Sequence, residues 1–215
     1  IQDFRKQILC DVITDSANIH WVVGPYKGQN GCFVPTVETP KETSVRYDIF
    51  KDSISNNLPD SDNLTGVVIC SQKSRYFAAE IAAILGYIRI PTHVVSDDGT
   101  SNKYDLIEAM DPNIVAFTST EIDESSLPKS VELCITFRHA HKLTYFNQLD
   151  IYMVDEIGFL GHSNNQKTWT TYNDQYFYEL SDTNNLVITS LYNLTQPILR
   201  IQVDDKVTVF NDSNI

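Results

Sequence analysis

Gly66-Val67-Val68-Ile69-Cys70 is a run of five residues without a charged side chain and without alternation of polar and apolar positions. A strand with one wet face alternates, whereas a strand covered on both faces, as in a parallel sheet, reads as a continuous apolar run. The residues that follow fit the second case. Ser74 can cap a helix through Leu85, with Phe77, Ile81, Ile84 and Leu85 on one side and Gly86 as its stop. Residues 92–95 read as a second strand that breaks at the turn Asp97-Asp98-Gly99. Residues 103–110 read as a second helix and 113–117 as a third strand. Strand, helix, strand, helix, strand with short connections predicts right-handed crossovers and a mostly parallel sheet with flanking helices, an α/β fold.

Outward from this block the texture changes. Residues 1–60 are irregular, with an amphipathic start at 4–12, a glycine-bearing loop from Gly24 to Gly31 and a helix near 41–54, and 58–63 reads as a turn. After the block come a strand at 132–137, a short helix at 140–146 and a strand at 150–154. Beyond Phe159, short strands at 168–172, 176–180, 186–191, 199–203 and 206–210 are separated by Asn, Asp, Ser and Thr turns, the pattern of antiparallel hairpins. The organisation expected is an N-terminal segment (1–60), a parallel α/β layer (61–158) and a β-rich portion (159–215) sharing the same core.

The chain has 215 residues, enough to bury roughly 70% of its unfolded surface without disulfides or metal. Its net charge of −12, with 16 Lys plus Arg against 28 Asp plus Glu, lacks the basic footprint that a phosphate backbone requires. Nucleic acid and anionic membrane are therefore excluded as expected partners. Cys10, Cys32, Cys70 and Cys134 are far apart and form no CxxC pair, so they read as buried reduced thiols. No signal peptide or lipidation motif opens the sequence, and no apolar run approaches the roughly 18 residues of a membrane span; the expected compartment is the cytoplasm. The sequons at Asn63, Asn193 and Asn211 are then chance matches.

Two acidic clusters lie at the ends of apolar strand-like segments, where side chains leave a buried sheet and can meet a ligand. The first is Tyr152-Met153-Val154-Asp155-Glu156-Ile157-Gly158. A carboxylate following a buried strand must reach solvent, a partner or a cation, so Glu156 can hold magnesium, or it can cap a turn aided by Gly158. The second is Pro197-Ile198-Leu199-Arg200-Ile201-Gln202-Val203-Asp204-Asp205. Asp204-Asp205-Lys206 fits a short hairpin connection, and Asp205 can equally accept two hydroxyl hydrogen bonds from a ligand. Arg200 falls on the face opposite Leu199 and can pair with either acid. In Gly24-Pro25-Tyr26-Lys27-Gly28-Gln29-Asn30-Gly31, glycines at Gly24, Gly28 and Gly31 would let backbone amides approach an anion that Lys27 neutralises, and the same residues suit a surface turn. It is no Walker loop, because the lysine precedes the second glycine. His139 and His141 lack cysteine or acid partners at zinc spacing and read as a solvated loop.

The order of these pieces resembles the large domain of adenylate-forming enzymes, in particular the branch of phenylacetate-coenzyme A ligase. Tyr152 and Glu156 match the first and last positions of the family's Tyr-Gly-x-Thr-Glu element, with Met153 and Asp155 replacing its glycine and threonine. Pro197 to Asp205 lies along its Pro-Leu-Ile-Arg-Tyr-Arg-Thr-Gly-Asp element; Pro197, Arg200 and Asp205 are kept, while Ile201, Gln202 and Asp204 depart. The resemblance implies ATP or AMP and magnesium as cofactors, with Glu156 as the catalytic, metal-holding residue and Asp205 on the ribose hydroxyls. Arg200, Tyr152, Gly24, Lys27, Gly28 and Gly31 would be nucleotide-side residues. At the phosphate loop, Pro25, Tyr26, Gln29 and Asn30 stand where the family has Ser, Thr and Gly, and the sequence ends ten residues beyond Asp205, where the family continues into a domain bearing a lysine. These departures favour a degenerate domain that binds a nucleotide or a small carboxylic acid without adenylating it, or a subunit completed by a homodimer or another protein. A minimal acyl-adenylating enzyme and an unrelated α/β binding protein are the alternatives.

Overall fold

The computed structural model describes residues 21–27, 33–71, 75–97, 103–118, 122–137, 143–154, 157–164, 168–194 and 197–207, with side chains from residue 39 onward except at 75 and 76. Along the chain run β1 (Trp21–Lys27), β2 (Phe33–Glu38), α1 (Pro40–Ser55), β3 (Gly66–Cys70), α2 (Arg75–Tyr87), β4 (Thr92–Ser96), α3 (Lys103–Met110) and β5 (Ile114–Phe117). A 3-10 turn (Glu124–Ser126) precedes β6 (Leu133–Phe137), β7 (Asn147–Val154), β8 (Gly158–Ser163), β9 (Thr170–Thr171), β10 (Tyr176–Leu180), β11 (Asn185–Ser190) and β12 (Ile201–Lys206). The chain divides into two compact units. One comprises Ile1–Arg46, Val154–Leu160 and Thr171–Ile215, the other Tyr47–Met153 and Gly161–Thr170.

Strands β4-β3-β5-β6-β7-β8-β9 form one sheet in that order. The pairs β3–β4, β3–β5, β5–β6 and β6–β7 are all parallel, as the run of apolar strands predicts. Residues 66–70 are buried throughout, and so are all four residues of β5. On one face Val67, Ile69, Val115, Phe117 and Cys134 pack with Ile107 of α3 and with Leu127, Val131 and Leu143. Each such side chain stabilises the fold by about 1.5–3 kcal/mol when fully buried. The edge strand β4 is the exception: Val94 is half exposed, because β4 has a neighbour on one side only.

In the other unit β1 and β2 pair antiparallel, and β10-β11-β12 form a separate antiparallel meander. The start of α1 is a capping box. Thr39 N and Thr39 Oγ1 donate to Glu42 Oε2 (2.6 and 2.9 Å), Glu42 N donates to Thr39 Oγ1 (3.3 Å), and Pro40 occupies the first helical position, where no N–H is needed. The other oxygen of this buried carboxylate accepts from Leu194 N at 2.6 Å.

Several expectations need correction. Gly86 does not stop α2, which continues to Tyr87; the stop is Arg89 at φ 66°, with Arg89 N on Gly86 O and Ile90 N on Leu85 O, a Schellman closure made without glycine. Leu143 is irregular and Thr144 to Phe146 are bends, not the end of a helix, and the earlier part of the expected 140–146 helix lies outside the described residues. Gly24 and Lys27 belong to strand β1, where the register shifts between Val22 and Pro25, so they are not in a loop; Gly28 and Gly31 lie outside the described residues. Asp204 and Asp205 are not a hairpin turn, since β12 runs through both. A polar pair suits this strand because Val203 is buried while Asp204 faces outward.

Cys70 and Cys134 are buried free thiols, whereas Cys10, Cys32, His139 and His141 lie outside the described residues. Among the described residues no helix is long and apolar enough to cross a membrane.

Candidate functional site

Strand β7 delivers the first motif. Ile151, Met153 and Val154 are buried, and Tyr152 is half-buried with its ring meeting Trp169 edge-on at 5.8 Å between centroids. This gives the tyrosine an aromatic neighbour in the favoured geometry. Ile157 N donates to Val154 O at 3.0 Å, and the buried Ile157 resumes the core; Asp155 and Glu156 lie outside the described residues. Gly158 has φ 96°, where a side chain is strained, and a β-carbon there would meet Arg46 Cδ at 3.3 Å. The backbone thus favours glycine at this position, and a side chain there would press on Arg46.

The second motif enters through a kink. Ile198 is buried and its carbonyl accepts from Ser190 N (2.9 Å), whereas Leu199 is exposed. Arg200 adopts φ 50° and donates its backbone N–H to Thr189 Oγ1 at 3.0 Å. Its guanidinium is paired with Glu179 of β10, which corrects the expected pairing with Asp204 or Asp205. The mostly exposed ion pair adds little stability, yet it directs the cation along the meander. Asp205 is half-buried near the end of β12, a place from which a carboxylate can accept hydroxyl hydrogen bonds, and Asn185 Nδ2 holds the neighbouring Val203 O at 3.1 Å. Among the described residues no three His, Cys, Asp or Glu side chains gather as a metal site.

A different polar cluster has no motif to announce it. Asp150, almost fully buried, accepts from Gln148 Nε2 (3.0 Å) and from Thr136 Oγ1, its parallel-register neighbour on β6. Gln148 Oε1 in turn accepts from Leu143 N at 2.7 Å. Nearby, burial and then the charge of Glu124 push the Cys134 thiol up to about 12, so it stays protonated. Hydrogen bonds from Ser126 and Ser125 hold the exposed Asp123 carboxyl below its ordinary value. Burial lowers the pKa of His162, whose Nδ1 lies 3.0 Å from Ser53 Oγ.

No protein-family model matches the sequence, and no curated protein matches it. Among solved structures, a mutant form of Coronafacic Acid Ligase from Pectobacterium brasiliense matches with a TM-score of 0.50 at 13% identity, covering 80% of this chain and 40% of that one. The anthranilate CoA ligase AuaEII in complex with anthranoyl-AMP gives 0.49 at 10% identity over 81% of this chain and 40% of its own. A second structure of Coronafacic Acid Ligase gives 0.44 at 12%, covering 77% and 39%. The first of these shares the fold of this chain: mixed α/β with a mostly parallel seven-stranded sheet and a β-rich C-terminal sheet. The chain spans about 40% of that ligase's length.

Proposed function

We propose that this chain is a degenerate adenylate-forming domain that binds a nucleotide or an acyl group and does not adenylate on its own. The observation that carries the reading is the ligase-like fold over 80% of the chain. The altered motif positions support the loss of chemistry. Met153 and Asp155 replace the family's glycine and threonine, and Arg200 is engaged by Glu179. In this reading Asp205 accepts the ribose hydroxyls of AMP or ATP, and Glu156 is the residue that would hold magnesium. ATP, when bound, supplies the adenylyl group, and a partner chain completes what catalysis needs.

A thermal-shift series with AMP, and with ATP and magnesium, tests this. A ligand at 100 times its Kd stabilises the folded state by about 2.7 kcal/mol. The expected result is stabilisation by AMP that disappears in Asp205→Ala, with no carboxylate-dependent pyrophosphate exchange by the purified chain. Exchange abolished by Glu156→Gln would establish an active enzyme instead. No response to any nucleotide or carboxylic acid would favour an unrelated binding protein.

A further inference from the structure

Two adjoining grooves open where β6 and β7 begin. The larger, about 520 Å³, is lined by five carboxamide side chains, those of Asn56, Asn57, Asn147, Gln148 and Asn164, and by no charged side chain among the described residues. The smaller, about 390 Å³, shares Thr144, Phe146 and Asn147 with it and adds Tyr145 and Glu132. A lining of this kind offers donors and acceptors in equal number, which suits an uncharged, multiply hydroxylated ligand.

The second observation concerns Tyr145, whose side chain is 80% exposed. Exposed loop aromatics usually sit on mobile backbone, but here three successive amides are fastened by side chains. Leu143 N is held by Gln148 Oε1 (2.7 Å), and Thr144 N and Tyr145 N both donate to Glu124 Oε2 (2.7 and 3.0 Å). The carboxamides are oriented as well: Asn164 Nδ2 donates to Asn57 Oδ1 (3.0 Å) and Asn57 Nδ2 to Ser53 O (2.8 Å). An aromatic plane and flanking amides fixed before a ligand arrives reduce the ordering that binding would otherwise require.

We propose that this groove binds a neutral saccharide, with Tyr145 stacked on the apolar face of a sugar ring and the carboxamides of Asn56, Asn147 and Asn164 on its hydroxyls. The site lies at the N-terminal end of β7 and uses none of the residues of the nucleotide reading, so the proposal does not rest on it.

The test is a titration of the isotopically labelled full chain with maltose, cellobiose, lactose and N,N′-diacetylchitobiose, following the side-chain NH₂ signals of Asn and Gln by NMR. At least one disaccharide is expected to give saturable shifts at Asn147 and Asn164. Tyr145→Ala should weaken it about tenfold, equivalent to 1.4 kcal/mol, while Tyr145→Phe retains binding. Because Tyr145 is exposed, both variants should keep the parent melting temperature. The proposal is overturned if none of the four sugars moves those signals, or if Tyr145→Ala leaves the affinity unchanged.

Discussion

The parallel sheet and the β10–β12 meander are both built of short strands, yet different physics holds them. In β3 and β5 every residue is buried, so each position contributes apolar area and the order of the strands follows from crossover connections. In β10 burial alternates. Tyr176 and Tyr178 are buried, whereas Phe177 between them is 53% exposed, and side-chain hydrogen bonds and cross-strand pairs carry more of the specificity. Tyr178 Oη donates to Leu160 O at 2.7 Å, and Tyr176 meets Tyr192 edge-on. The difference teaches that an apolar side chain counts by its face in the meander and by its mere presence in the sheet.

Paired truncations test this most severely. Phe117→Ala should cost about 3–5 kcal/mol in urea unfolding, while Phe177→Ala should stay within about 0.5 kcal/mol. Equal losses would break the contrast, since they would mean that the outer face of β10 is covered. Next, Tyr178→Phe should cost about 1–3 kcal/mol, because it leaves a buried carbonyl without its donor.

The smallest expected effect is a pH dependence from His162 on β8. Burial depresses its pKa in the folded state, so the unfolded chain takes up the proton at higher pH than the native one. Stability contributed by the neutral ring is present above the ordinary value of about 6.5 and is lost as pH falls through the folded pKa. Unfolding curves between neutral pH and pH 5 should therefore shift less in His162→Asn than in the parent. An identical pH slope would remove His162 from the account.

Much of the sheet is legible in the sequence because its signal is local. Five consecutive apolar residues need no partner to be recognised, and α3 and β10 occupy the expected residues. The meander's entrance is not legible in this way. Leu199 and Arg200 alternate like strand residues, but Arg200 adopts a left-handed backbone that no local pattern marks, and its partner Glu179 is 21 positions away. Likewise, the stop of α2 at Arg89 defeats a rule that looks for glycine. For the candidate site, Tyr152, Arg200 and Asp205 fall on the strands or strand entrances from which the resemblance drew them, and Glu156, Gly28 and Gly31 lie outside the described residues. The carboxamide groove is invisible from sequence because Asn56, Asn147 and Asn164 are brought together only by the fold.

The bond from Leu194 N to Glu42 joins positions 152 residues apart, and the unit containing them is interrupted by most of the parallel sheet. During synthesis, Glu42 leaves the ribosome long before its distant amide exists. The continuous middle stretch can collapse as it emerges, whereas the flanking segments must wait for one another, with their strand edges and apolar residues uncovered. Timing at the ribosome, and any chaperone that shields the early segment, is thus written into where one glutamate finds its last hydrogen bond.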